Sequence, residues 1–142
     1  MLVLLQWMLF TLAVSGSQDT SEMVALGRTK LTELSQARAR PRYGECWASA
    51  LSRLETVCAG LDEESHSRLA LHFANCQLAQ TGQNTFPCGE EEEFSACLEA
   101  VDTIAWTSYT SFYTHTHNMC YFLQSRIWQV RTSTIIVRPV CT

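Results

Sequence analysis

The residues of this 142-residue chain whose types and spacing could do chemistry are seven cysteines and the cluster His115-x-His117-x-x-Cys120. No Cys-x-x-Cys occurs, so neither a thioredoxin-type redox pair nor a paired zinc knuckle has its usual spacing. On a helix, His115 and His117 point about 200° apart, and both can face one ion only where the backbone is irregular. His117 and Cys120 could share one, in competition with oxidation of Cys120. Gly-x-Ser-x-Gly and His-Glu-x-x-His are both absent, so nucleophilic and zincin-type catalysis find no support. The chain reads as a non-enzyme without metal or cofactor.

The remaining chemistry is oxidative. Met1 to Val14 is an apolar run of signal-peptide length followed by Ser15-Gly16-Ser17, although its n-region lacks Lys or Arg. Such a run is too short for a membrane-spanning helix, which needs about 18 or more apolar residues. A cleaved leader over 1–17 is expected, with no span after it. In an oxidising lumen Cys46, Cys58, Cys76, Cys88, Cys97 and Cys120 become disulfide candidates, and Cys141 is left over. The formal charge of −4, with only 10 Lys and Arg, argues against a nucleic-acid partner.

Helical elements must position these thiols. Glu22 to Arg40 reads as a mobile, weakly amphipathic helix ending before Pro41. In Glu45 to Ala59, Cys46, Trp47, Ala50, Leu51, Leu54 and Cys58 recur at helical spacing, and Gly60 supplies a stop. A second helix is expected from Asp62 to Ala79, before turn chemistry at Thr81 to Gly89. The connection near residue 61 places Cys46 and Cys76 each about 15 residues from its centre, so antiparallel packing levels the two thiols. Cys46 and Cys58 on one continuous helix would stand roughly 18 Å apart, beyond the Cα limit of about 7 Å for a bridge.

A third, longest helix is expected to begin in Glu90 to Glu93, as a solvated first turn, and to run toward Trp128. A break is expected within Thr107 to Thr116, whose β-branched and hydroxyl residues form helices poorly. Cys88, just before this helix, can reach Cys97, which leaves Cys58 for Cys120. The stripe Trp106, Tyr109, Phe112, Tyr113, Tyr121, Phe122 and Trp128 is too wide for one buried face. Half is expected in the core and the rest on a partner or membrane-interface patch, with Tyr109 to Trp128 as the contact surface. The fold class is therefore all-α: a disulfide-stapled domain of three to four helices over 45–132, preceded by a weakly helical segment over 18–44 and followed by a divergent tail over 133–142.

Several motifs go beyond periodicity. They are Cys46-Trp47-x-x-Ala50 with Cys58, Arg68-Leu-Ala-Leu-x-Phe-Ala-Asn75-Cys76, Thr81-Gly82, Phe86-Pro-Cys88, Cys97, Asp102, Tyr109-Thr-x-Phe112, Thr114-His-Thr-His-Asn-x-Cys120-Tyr-Phe-Leu-Gln-Ser125, Trp128 and Arg131-Thr132. Over 45–135 the sequence resembles the Brambleberry family of nuclear-fusion (karyogamy) proteins. The resemblance implies a non-enzymatic protein of the endoplasmic reticulum and nuclear envelope, with the matching cysteines as the framework of a lumenal domain. It implies a protein partner in that lumen, with self-association as one form of it. Family members look like this domain followed by coiled-coil and transmembrane segments. The present sequence reads as a truncated relative without the membrane-anchoring part, and bilayer fusion needs an element inserted into the membrane. The alternative is a small secreted helical ligand or lipid-binding module, since leader and disulfides fit it equally.

Overall fold

In the computed structural model, backbone is described for residues 2–60 and 62–137, and side chains for 3, 20–60 and 62–127. The elements are α1 (Leu2–Ala37), α2 (Gly44–Ser52), α3 (Leu54–Ala59), α4 (Glu63–Gln80), α5 (Phe94–Glu99) and α6 (Thr103–Val137). No strand occurs among the described residues, and the class is all-α. The side chains of the leader beyond Val3, Trp128 and the tail from 133 lie outside the described ones, as does Cys141.

α4 is the centre of the core because its apolar residues wrap most of its circumference: Leu69, Ala70, Leu71, Phe73, Ala74, Cys76 and Leu78 are all buried. Asp62 caps it, its carboxylate accepting from the Glu64 N–H at 3.2 Å and from the Ser65 hydroxyl at 2.6 Å. It ends in a Schellman closure: the Gln83 N–H donates to the Leu78 carbonyl and the Gly82 N–H to that of Ala79. Gly82 takes a φ of +74°, which a side chain would resist. α6 packs against both α4 and α1, and α2 fills the space between α1 and α4. Trp47, Phe73 and Phe112, one from each of α2, α4 and α6, meet with ring centroids 5.8–6.4 Å apart.

Three expectations change. The segment before Pro41 is part of the core, with Leu34 and Ala37 buried at 2% and 3% exposure. Its docking depends on Gly27, where an added Cβ would lie 2.0 Å from the Asn118 carbonyl oxygen of α6. The helix expected over Glu45 to Ala59 is interrupted at Arg53, whose N–H donates to Ala50 three residues back and tightens one turn between α2 and α3. Gly60 ends α3 in an extended conformation, not a left-handed one.

The third correction concerns the second half. Glu90 to Glu93 precede α5 and form no helical turn, and the break falls at Ala100 to Asp102, not within Thr107 to Thr116. Asp102 starts the new helix by accepting from the Ala105 N–H at 2.8 Å. Thr107, Thr110 and Thr114 turn their hydroxyls back to carbonyls four residues earlier, and the segment stays helical because Tyr109, Phe112, Thr116 and Met119 bury one face. Packing outweighs weak propensity there.

The stretch from Thr85 to Glu93 has no regular hydrogen bonding of its own, so side chains of α4 hold it. Asn75 donates through Nδ2 to the Phe86 carbonyl at 3.0 Å and accepts from the Phe86 N–H at 2.8 Å, as a neighbouring strand would. Arg68, two helical turns earlier on the same face, donates to the carbonyls of Gly89 and Glu92 at 3.0 and 2.6 Å. Replacing Asn75 with Ala leaves the half-buried Phe86 amide without partners, at an expected cost of about 1–3 kcal/mol. Urea titration checks the loss, and faster proteolysis confined to 83–93 would identify the strap as its seat.

Candidate functional site

Three disulfides fix the helices. Cys46 is bonded to Cys76, tying α2 to α4 with Cα atoms 5.6 Å apart. Cys58 is bonded to Cys120, tying α3 to α6 at 5.0 Å. Cys88 is bonded to Cys97, closing the strap onto α5 at 5.9 Å. Cys76, Cys58 and Cys120 are buried, whereas Cys88 and Cys97 are both half-buried at the surface.

The bridges also engage the sulfurs of the cysteine clusters found among the described residues. Cys46, His72 and Cys76 converge, as do Cys88, Glu92 and Cys97, but in each set the sulfurs are bonded to one another. Cys120 is likewise committed to Cys58. His115 and His117 open onto different neighbours: His115 Nε2 lies 3.2 Å from the Ser111 hydroxyl, while His117 stacks on His66 of α4 at 4.9 Å. His117 Nε2 is 3.6 Å from Glu63 Oε1, close enough for charge attraction and too long for a hydrogen bond. Glu63 instead accepts from the Tyr113 hydroxyl. That bond first, and then the nearby histidines, hold its carboxyl below the ordinary range, and the same bond raises the Tyr113 phenol.

Burial, with Arg53 adding to it, pushes the His72 imidazole below its ordinary value of 6.5. Burial and then Lys30 do the same for His115, with Glu33 opposing. Both histidines are held neutral in the fold and charge more easily in the unfolded chain. Their contribution is complete above pH 6.5 and is lost as pH falls through the lowered values, and Glu63 adds a further loss below 4.5. The Tm is therefore expected to fall between pH 7.5 and 5.5. Replacing His72 and His115 with Gln should flatten that slope in differential scanning calorimetry.

The aromatic stripe divides differently from the expected contact surface. Tyr109, Phe112 and Phe122 are buried at 4–8% exposure, so they belong to the core, because they lie on the side of α6 that meets α4 and α1. Tyr113 is half-buried against Glu63 and His117. Tyr121 and Trp106 are exposed at 43% and 47%. An open groove of about 630 Å³ runs between α3 and α6, lined by Glu55, Cys58, Ala59, Leu123, Arg126 and Ile127, and does not include Tyr121. Among the described residues no helix is long and apolar enough to cross a membrane.

Three bridges thus hold a helical frame that carries an open groove between α3 and α6. The chain is similar to protein brambleberry of Danio rerio. The two are 25% identical over 127 residues, which is 89% of this chain and 21% of the zebrafish protein. The chain thus spans about a fifth of the length of the brambleberry it matches. No protein-family model matches the sequence, and no solved structure matches it. The likeness to brambleberry and the oxidised cysteines are both compatible with a protein of the secretory pathway.

The roles of Arg68, Asn75 and Gly27 were not assigned from the sequence. Arg68 and Asn75 have a readable signal, being polar residues seven apart that share one face of the helix with His72. Gly27 gave none, since its importance lies in how closely α6 approaches.

Proposed function

We propose that this chain is a non-enzymatic protein of the endoplasmic reticulum and nuclear-envelope lumen that acts, as the Brambleberry likeness suggests, in nuclear-membrane fusion by binding a protein partner. The observation that carries the reading is the similarity to brambleberry over 89% of the chain, together with a core closed by the Cys46–Cys76 and Cys58–Cys120 disulfides. These bridges favour a lumenal compartment, because cytosolic thiols are kept reduced. The α3–α6 groove supplies the contact surface, its apolar lining rimmed by Glu55 and Arg126, and Tyr121 is a separate exposed aromatic on α6.

The same groove supports a second reading, a secreted module that takes a small apolar ligand. Localisation separates the two. A tagged full-length chain retained at the nuclear envelope is the expected result, and efficient export to the medium would favour the secreted module.

A further inference from the structure

We propose that Cys88–Cys97 is a thiol–disulfide exchange site that accepts a small lumenal thiol at Cys97 and expels Cys88 as the thiolate. The other two bridges are less open: Cys58 and Cys120 are 6% and 5% exposed, and Cys46, although half-buried, is bonded to fully buried Cys76, where a departing thiolate would be left without solvation. Cys88 and Cys97 are both partly exposed, and one lies in a strap without regular structure. The charges around this bond are unsymmetrical. Arg68 Nη1 sits 3.6 Å from Cys88 Sγ, whereas Glu92 Oε2 sits 4.0 Å from Cys97 Sγ. A carboxylate oxygen of Glu92 also lies within 4.8 Å of Cys88 Sγ, so the preference for negative charge on Cys88 rests on the Arg68 guanidinium.

Exchange rates depend on which sulfur leaves and how well its charge is held. An incoming thiolate attacks Cys97 Sγ, the Cys88–Cys97 bond breaks, and the electron pair goes to Cys88 Sγ beside the guanidinium. One disulfide forms as one is lost, so no external oxidant is needed. Arg68 is already fixed by Glu64 at 2.9 Å and by the Gly89 and Glu92 carbonyls, so its charge is in place before the bond opens. Glu92 is held in turn by the Gly89 N–H at 2.7 Å.

The test incubates the purified, oxidised full chain with millimolar glutathione, traps free thiols with N-ethylmaleimide and maps the products by mass spectrometry. Cys88–Cys97 is expected to open while the other bridges remain intact, with glutathione on Cys97 in roughly fivefold excess over Cys88. Arg68→Gln should erase that preference, and Glu92→Gln should speed adduct formation at Cys97. The ratio of the two adducts is the decisive readout, because a merely loosened strap would raise both together. Opening of either of the other two bridges at an equal rate, no opening at all, or an adduct mainly on Cys88 would overturn the proposal.

Discussion

Removing the Cys58–Cys120 bridge by Cys58→Ser with Cys120→Ser is expected to destabilise the fold by about 4 kcal/mol. The two residues are 62 apart in sequence, the widest separation of the three bridges, so this link removes the most freedom from the unfolded chain. Cys88 and Cys97 are only 9 apart, and on the same scaling their loss costs about 2.5 kcal/mol. Chemical denaturation of the two double variants against the parent checks the order. The long bridge also anchors α3, a helix of only six residues that forms one wall of the groove. Loss of groove geometry should therefore accompany the loss of stability in the first variant and not in the second.

Trp47→Ala is expected to cost about 3–5 kcal/mol, the other large effect. Its indole is 4% exposed, contacts the rings of Phe73 and Phe112, and donates through Nε1 to Gln80 Oε1 at 3.1 Å. Truncation opens a cavity where α2, α4 and α6 meet, and the Cys46–Cys76 bridge one residue away restrains α2 from collapsing into it. A drop in Tm of roughly 10–20 °C should follow. Trp47→Phe keeps most of the ring volume and gives up only the hydrogen bond, so it should lose far less. Equal losses in the two variants would place the energy in Gln80 and not in packing.

Much of this frame was legible in the sequence. A connection near residue 61 between two periodic segments was enough to level Cys46 with Cys76, and the tightened turn at Arg53 left that register intact. Local rules failed where distant packing decided. Hydroxyl-rich Thr107 to Thr116 suggested a break, yet its backbone is helical because Phe112 and Thr116 are enclosed by other elements. The real break at Asp102 had a local cause, a side-chain cap, visible as an Asp three residues before a buried alanine. The aromatic stripe misled in a similar way. Residue type alone does not reveal that α1 covers a second side of α6 through Gly27, which leaves Tyr121 exposed and Phe122 buried.

The similarity to brambleberry and the disulfides are both compatible with the secretory pathway, and a single measurement tests the lumenal reading proposed above. Cells expressing the full chain are quenched with acid and alkylated under denaturing conditions, and the unreduced peptides are mapped by mass spectrometry. The account predicts Cys46 joined to Cys76 and Cys58 joined to Cys120 in the protein as it exists in the cell. Recovery of those four cysteines as free thiols would contradict it.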